Sequence, residues 1–304
     1  MPRFRFLTAD VFTSVPFGGN QLAVFPDARG IPEHRLADVT REFNFSETTF
    51  VYPPVDARHA RRVRIFTPGG EVPFAGHPTV GTAHVLAETG ALPLTGDTTH
   101  IVFEEGVGPI PVTIRARAGR PVFVQFSVAR LPEVGAPPPS RDELARVLGL
   151  EVDDLLGGDW SPQAMSCGLP FLFVPLHDRD AVARARIRMD AWEATLKHAP
   201  VSEIMVFAPG GERAGTDYRA RMFAPGLSVP EDPATGSACA ALAGYLAARD
   251  VRRDGTLRWV VEQGFEMGRP SMLDVEADVA TGTVSAVRVG GDTVLVSEGT
   301  MSIS

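Results

Sequence analysis

The segment Glu231–Ala248 combines polar groups that could do chemistry with a helix that could position them. It begins with two carboxylates and a proline, continues through Thr235, Gly236 and Ser237, and then reaches Ala248 without a charged residue. The later residues mostly favour helix and leave no polar face, which predicts a helix enclosed by other elements. Unpaired N–H groups and the positive dipole end at its start would suit a carboxylate, a phosphate or a developing negative charge. A core helix capped by Thr235 or Ser237, without a chemical role, is the alternative.

The first half of the sequence contains a second segment of the same design, Phe74–Ala87. A glycine-rich turn that includes His77 leads to Pro78, which suits the first helical position, and then to mostly small residues without Asp, Glu, Lys or Arg as far as Ala87, in a helix expected to end near Gly90. His77 could cap this helix or bind a substrate, whereas His84 inside it fits a packed core position. Two such segments about half a chain apart suggest an internal duplication, with two like domains that bring the helix starts together at a central cleft.

Glu47 is the carboxylate of the first half that is best suited to proton transfer. It lies between small polar residues at the start of a β-branched run, and Phe45, Phe50 and Val51 are close to it in sequence. Such neighbours would partly desolvate the side chain and bring its proton affinity toward the range that general acid/base catalysis needs. The alternative is a surface glutamate at the end of a strand.

Composition and charge exclude several classes of protein. The 304 residues suffice for two domains of ordinary size, and the formal net charge of −8 argues against nucleic acid as a main partner. The N-terminus lacks the apolar core of a signal peptide and no run is long enough to span a bilayer, so a cytoplasmic protein without a membrane partner is expected. The two cysteines, Cys167 and Cys239, have no Cys-x-x-Cys spacing, so neither structural zinc nor a disulfide framework is expected.

Alternating and amphipathic stretches predict strands and helices in both halves of the chain. Strands are expected at 4–12, 21–25 and 62–66, in short segments from 101 to 128, and at 164–175, 203–207, 218–223, 257–262, 271–277, 284–289 and 294–296, with further helices at 31–43, 141–148 and 190–198. The proline-rich stretch Val134–Pro139 is the best candidate for a linker. The expected division is therefore an N-terminal domain of residues 1–130 and a C-terminal domain of residues 131–292.

Four stretches occur together in this sequence and carry a resemblance to a known family. They are Asp10–Phe12 continuing through Phe17–Asn20, Asn44–Thr48, Phe74–Thr79 and Glu231–Ala238. Over its whole length the chain resembles the PhzF family of phenazine-biosynthesis-like isomerases. The resemblance implies an α+β fold similar to that of diaminopimelate epimerase, with two pseudo-symmetric domains, each a β-barrel-like sheet around a central helix, and an active site in the cleft between them. In that fold the last strand, here about 293–304, returns to the first domain.

The resemblance also implies a reaction and its residues. The family's general acid/base matches Glu47, and the expected reaction moves a proton at carbon in a small carboxylate substrate without cofactor or metal, in a homodimer. The matching positions comprise catalytic residues, Glu47, His77 and Asp232, and substrate-binding residues, Asn20, Ser46, Gly76, Gly236 and Ser237. Gln21 stands where the family commonly has proline after the asparagine, in a loop that borders the cleft.

Other interpretations of the same residues stay open. An amino-acid epimerase or racemase could use Glu47 and Asp232 from opposite faces of one carbon. Ser237, His77 and Asp232 supply the residue types of a hydrolase triad, but the Gly-x-Ser-x-Gly elbow is absent. A two-thiol racemase is disfavoured, because Cys239 lies beyond the Thr-Gly-Ser turn and the Gly-His-Pro loop has no cysteine. A non-catalytic binding protein on the same fold would need none of these acidic and histidine side chains.

Overall fold

The computed structural model describes residues 1–227 and 229–304. They divide into two compact units. The first unit is Met1–Ala129 together with Arg288–Ser304, and the second is Arg130–Val287. Within the described residues, no helix is both long enough and apolar enough to cross a membrane.

In the first unit, strands alternate buried and exposed side chains as the sequence pattern predicts. The helices are α1 (Leu36–Phe43) and α2 (Gly76–Glu88); the strands are β1 (Arg3–Val11), β2 (Asn20–Phe25), β3 (Glu47–Tyr52), β4 (Arg61–Thr67), β5 (Gly70–Val72), β6 (Thr98–Glu105), β7 (Gly108–Arg117), β8 (Arg120–Ser127) and, from the end of the chain, β18 (Thr293–Ser302). β1 pairs antiparallel with both β2 and β18, from Arg3 opposite Ser302 to Val11 opposite Thr293. The sheet continues from β2 through β3, β4, β6 and β7 to β8.

The second unit has more helical connections than the first. Its elements are β9 (Glu133–Val134), α3 (Arg141–Leu148), β10 (Gln163–Ser166), β11 (Pro170–Pro175), α4 (Arg179–Arg184), α5 (Met189–Thr195), β12 (Ile204–Pro209), β13 (Tyr218–Ala224), β14 (Val229–Asp232), α6 (Gly236–Ala247), β15 (Gly255–Gln263), β16 (Ser271–Ala280) and the first part of β17 (Thr283–Gly291), which continues into the first unit from Arg288. The proline-rich stretch begins at β9, which pairs with β10. The N–H of Gly135 then donates to the carbonyl of Ala164 at 2.8 Å, so this stretch is tied into the second unit.

The two units repeat one order of strands and helices. In the first, β2 lies parallel to β3 and β4 lies parallel to β6, with antiparallel pairs between these steps. In the second, β11 lies parallel to β12 and β13 lies parallel to β15, again with antiparallel pairs between them. A short strand, β5 or β14, precedes the buried helix in each case and pairs back onto the strand before it. This repeated order of strands and helices confirms the predicted α+β fold and the suggested duplication.

The helices α2 and α6 form the centres of their units, as their uncharged sequences predict. α2 is buried from Gly76 to Ala87 and packs against β1, β2, β3, β7, β8 and β18, while α6 packs against β10, β11 and β16. Glycine permits the closest approaches: a Cβ on Gly81 would lie 2.6 Å from side-chain carbons of both Val11 and Leu22. The small residues therefore set the distance between helix and sheet.

Some predicted boundaries were wrong. The segment 31–43 is α-helical only from Leu36, after a short 3-10 turn at Glu33–Arg35, and α2 and α6 begin at Gly76 and Gly236, slightly before the predicted starts. The short helix α4 was not predicted, because six residues are too few to show an amphipathic period. It is held at its start by Asp178, whose carboxylate accepts the N–H of Ala181 at 2.8 Å.

Candidate active site

Glu47 and His77 are brought together in the first unit by three elements. α1 ends at Asn44, which adopts a left-handed conformation (φ 53°), and the chain then enters β3, of which Glu47 is the first residue. The parallel pairing of β3 with β2 sets Glu47 opposite Leu22. His77 is the second residue of α2, so its position depends on the start of a buried helix.

Glu47 and His77 form a close contact in which both side chains are largely buried. Glu47 Oε2 and His77 Nε2 are 3.4 Å apart, and the side chains are 16% and 4% exposed. Burial lowers the pKa of His77 from 6.5 to about 3, an effect that a hydrogen bond to the main chain of Gln21 partly opposes. The imidazole is therefore neutral at physiological pH, and the contact is not an ion pair.

The hydrogen bonding of His77 determines what its ring presents to Glu47. A neutral imidazole has a single N–H, and a bond to the main chain that raises the pKa of the ring is one that the ring donates. Nε2 has no hydrogen-bond partner among residues 1–227 and 229–304, so the donating nitrogen is Nδ1. Nε2 consequently directs a lone pair at Glu47 Oε2. A proton on the Glu47 carboxyl has an acceptor close by.

The remaining predicted residues of the first unit lie at the starts of β2, β3 and α2. Asn20 is buried at the start of β2, and Ser46 Oγ donates to Asn20 Oδ1 at 3.3 Å, directly before Glu47. Gly76 is the first residue of α2. Asn20, Ser46 and Glu47 are thus connected through a side-chain contact and through adjacent positions in the chain.

Asp232, Gly236 and Ser237 lie together in the second unit, where β14 leads into α6. Asp232 is the last residue of β14, Gly236 is the first residue of α6, and Ser237 is a half-buried residue at the second helical position, the place that His77 occupies in α2. The sequence offers Thr235 or Ser237 as the N-cap of α6. Thr235 is the N-cap by position, but its hydroxyl donates to Asp232 Oδ2 at 2.5 Å instead.

Arg221 anchors the residue next to Asp232. Its guanidinium group, almost fully buried, donates to both carboxylate oxygens of Glu231 at 2.8 and 2.9 Å. Its Nη1 donates to main-chain carbonyls at the end of α4, among them Ala185 at 2.7 Å. Bidentate arginine pairs are geometrically strict, so Arg221 limits movement of the strand that ends in Asp232.

Two buried polar residues, Glu105 and Gln263, were not predicted from the sequence, and each ends the strand that follows a central helix. Each is followed by a glycine that packs against a proline ahead of the helix: Gly106 against Pro73, and Gly264 against Pro233. A Glu-Gly and a Gln-Gly pair at matching places in the two halves were the available signal. The two pairs can be recognised as equivalent only when the structure shows which strands and helices of the two units correspond.

Glu105 holds the first turn of α2. Thr79 Oγ1 lies 2.8 Å from both the carbonyl oxygen of Ala75 and Glu105 Oε1, but one hydroxyl carries only one hydrogen. A protonated Glu105 that donates to Thr79, while Thr79 donates to Ala75, satisfies both contacts. Burial raises the pKa of Glu105 to about 8, which agrees with a neutral carboxyl group at pH 7.

Glu105→Gln is expected to remove the part of the unfolding free energy that depends on the proton of Glu105. The folded-state pKa of about 8 exceeds the ordinary value of 4.5, so between these values the folded protein keeps a proton that the unfolded chain has released. Stability from this group therefore falls as the pH rises from 4.5 to 8. An amide can also donate to Thr79 but does not titrate. The unfolding free energy of the variant should therefore rise relative to that of wild type by about 1–3 kcal/mol as the pH is raised from 5 to 8. Urea unfolding at both pH values measures the change.

The matched control for this prediction is Glu42→Gln, which makes the same chemical change on an exposed part of α1. Wild type and Glu42→Gln should keep the same dependence of unfolding free energy on pH. Parallel pH profiles for wild type and Glu105→Gln would show that Glu105 is ionised in the folded protein and that the assignment of its proton is wrong.

The described residues offer no group of three or more His, Cys, Asp and Glu side chains that could hold a metal ion. The thiols are poor bases in their settings. Burial raises the pKa of Cys167 to about 12 and that of Cys239, fully buried in α6, further still. Both thiols are therefore protonated at physiological pH.

Comparison with known proteins decides the family. The sequence profile of a family described as "Phenazine biosynthesis-like protein" matches residues 9–299. The chain belongs to this PhzF family. An uncharacterized isomerase of Mesorhizobium japonicum is 36% identical over 304 residues, covering 98% of this chain and 99% of that protein. Trans-2,3-dihydro-3-hydroxyanthranilate isomerase of Pseudomonas aeruginosa is 35% identical over 298 residues, covering 97% and 98% respectively. This PhzF-family chain is accordingly an isomerase.

Solved structures support the same assignment. A PhzF-family phenazine biosynthesis protein of Bacillus anthracis superposes with a TM-score of 0.88 at 27% identity, covering all of both chains. A hydroxyproline epimerase of Agrobacterium vitis superposes with a TM-score of 0.66 at 13% identity, covering 99% of this chain and 91% of that one, which shows a shared fold. The predicted family and the diaminopimelate epimerase-like fold are confirmed for this PhzF chain.

Proposed function

We propose that this chain is a cofactor-independent isomerase that moves a proton from one carbon to another in a small carboxylate substrate. Glu47 is the proposed general acid/base. The observation that carries the proposal is the 3.4 Å contact between Glu47 Oε2 and the Nε2 of a buried, neutral His77. One carboxyl group beside a fixed acceptor can take a proton, hold it and return it.

In the proposed reaction, Glu47 removes a proton from a substrate carbon and becomes a neutral acid. His77 Nε2, 3.4 Å from Glu47 Oε2, restricts the orientation of the carboxyl group while that group holds the proton. Negative charge then develops on the substrate, and N–H groups at the start of a helix are suited to stabilise it. The proton returns from Glu47 to a different carbon, so the sum of the two steps is an isomerisation with no net proton uptake.

The other predicted site residues receive binding roles in this proposal. The N–H groups at Gly76 and Gly236 and the hydroxyl of Ser237 are assigned to the acidic group of the substrate or to its developing charge. Asp232 is assigned to polarising the substrate, and His77, whose single N–H is donated to the main chain of Gln21, is assigned to orienting Glu47. Asn20 and Ser46 complete the set of binding residues, and their support is the contact that joins them next to Glu47.

The proposed substrate class is a cyclic amino carboxylate that carries a mobile hydrogen on carbon. Two observations support this class: the family membership, and the name of the Pseudomonas aeruginosa relative, trans-2,3-dihydro-3-hydroxyanthranilate isomerase. An epimerase or racemase of amino acids remains the second candidate, since the fold is shared with a hydroxyproline epimerase. A racemase returns the proton to the same carbon, which usually requires a second acid/base on the opposite face.

A substrate panel distinguishes these functions. Purified protein is expected to convert trans-2,3-dihydro-3-hydroxyanthranilate to an isomer, seen as changed ring proton signals in NMR spectra. It is expected to leave the optical rotation of L-proline and trans-4-hydroxy-L-proline unchanged. Racemisation of either amino acid without ring isomerisation would replace the proposal with the second candidate. Saturable binding of the carboxylate without any turnover would favour a non-catalytic binding protein.

We also propose that the chain acts in the cytoplasm as a homodimer, without nucleic acid or membrane as a partner. The support is the family resemblance for the dimer and the net charge of −8 for the rejection of nucleic acid. Light scattering at micromolar concentration tests the dimer, and a monomer under those conditions would contradict it.

A further inference from the structure

Gln263 joins the loop that carries Asp232 to the strand that follows α6. The side chain is fully buried at the end of β15. Its Oε1 accepts the main-chain N–H of Thr235 at 3.1 Å. Its Nε2 donates to the main-chain carbonyl of Asp232 at 2.7 Å and to Thr235 Oγ1 at 2.9 Å. Both ends of the amide are therefore bonded to a single short loop.

The main chain determines which way this amide faces. A peptide N–H can only donate and a peptide carbonyl can only accept. With the amide turned over, the NH2 group would face the N–H of Thr235 and the oxygen would face the carbonyl of Asp232. Both contacts would then be repulsive in a buried site, so one orientation is allowed.

The orientation of Gln263 sets the direction of the next hydrogen bond. Because Thr235 Oγ1 accepts a hydrogen from Gln263 Nε2, its own hydrogen is available to be donated. That hydrogen points to Asp232 Oδ2, 2.5 Å away. The hydrogen bonds are thus donated in one direction, from Gln263 to Thr235 and from Thr235 to Asp232. The last acceptor is a carboxylate oxygen.

We propose that Gln263 and Thr235 are positioning residues, which fix the carboxylate of Asp232 in one orientation before the substrate binds. The inference rests on the proposed substrate-contacting role of Asp232. It assigns to Thr235 a function that a helix cap would not need, and it explains why the hydroxyl is turned away from the N–H groups of α6. An oriented carboxylate loses less entropy on binding a substrate than a freely rotating one.

Thr235→Val and Thr235→Ser form a matched pair for testing this proposal. Valine keeps the branched shape but removes the hydroxyl, so kcat/KM for trans-2,3-dihydro-3-hydroxyanthranilate should fall about 10- to 100-fold, as for loss of a hydrogen bond to a charged group. Serine keeps the hydroxyl and should retain activity within about threefold of wild type. In an Asp232→Asn background, adding Thr235→Val should have little further effect, because a residue that acts through Asp232 is not additive with it.

A crystal structure of Thr235→Val gives a readout that does not depend on activity. The Asp232 carboxylate is expected to rotate or to occupy two orientations, while the main chain from β14 into α6 stays in place. Gln263→Glu, which removes both donors from the amide, should produce the same displacement. An Asp232 carboxylate that keeps its orientation in both variants overturns the proposal, and so does wild-type kcat/KM in Thr235→Val. If wild type itself fails to turn over the compound, the proposed function fails, and the crystal structures still decide the orientation of Asp232.

Discussion

Glu47→Gln is expected to lower kcat by about 10²- to 10⁴-fold with little change in substrate affinity. Glutamine has nearly the same shape as glutamate and can still hydrogen-bond, but it cannot accept a proton from carbon. Steady-state rates of trans-2,3-dihydro-3-hydroxyanthranilate isomerisation, with binding measured separately by calorimetry, test both parts of the expectation. The expected loss is large because Glu47 is the single general acid/base of the proposed reaction.

The matched control is again Glu42→Gln, an identical change on the exposed surface of α1 just before the turn that leads to Glu47. It should leave kcat and affinity unchanged. Near-normal turnover in Glu47→Gln would defeat the assignment of the general acid/base. If Ser237→Ala were inactive at the same time and an acyl group could be trapped on Ser237, a hydrolase mechanism would take its place.

Gly264→Ala is expected to destabilise the second unit by at least about 3 kcal/mol, because two separate costs combine. Gly264 has a φ of +78°, a left-handed conformation that alanine adopts only with strain. A Cβ there would also clash with the carbonyl oxygens of Arg269 and Pro233, the latter at 2.5 Å. Main-chain atoms cannot move aside as a flexible side chain can. Urea unfolding followed by circular dichroism measures the loss.

Gly268→Ala introduces the backbone strain without the steric clash, so it separates these two contributions to the loss of stability. Gly268 has a similar φ of +70° but nothing within 4 Å of the added Cβ, so this variant should lose only about 1 kcal/mol. Equal losses in the two variants would show that strain alone matters and that the contact with Pro233 is not rigid. Since Pro233 follows Asp232 directly, Gly264→Ala is also expected to lower activity more than stability alone predicts.

The central helices could be predicted because their signal is local. Small uncharged residues without a polar face can form only an enclosed helix, and both α2 and α6 are found within two residues of the expected start. Strands such as β1 and β16 were predictable for the same reason, since alternation of side chains is visible in a single stretch of sequence.

The supporting polar contacts could not be predicted, because they join residues that are distant in sequence. Gln263 is separated from Thr235 by all of α6 and most of β15, and Glu105 is similarly separated from Thr79. Thr235 illustrates the limit most clearly. Its type and position favour a helix cap, yet a buried amide from another strand redirects its hydroxyl to Asp232. Local preference is overridden there by a tertiary contact.

The pairing of β1 with β18 affects the order in which the two units can fold during synthesis. The second unit is one continuous segment, Arg130–Val287, whereas the first needs residues from both ends of the chain. During synthesis Arg288–Ser304 emerges only after the whole of the second unit, so β1 has no β18 to pair with until that unit has been made. The second unit can therefore fold on the ribosome before the first, although its sequence emerges later. Until then the edge of β1 that β18 covers in the folded protein is exposed, and an exposed strand edge can pair with other chains.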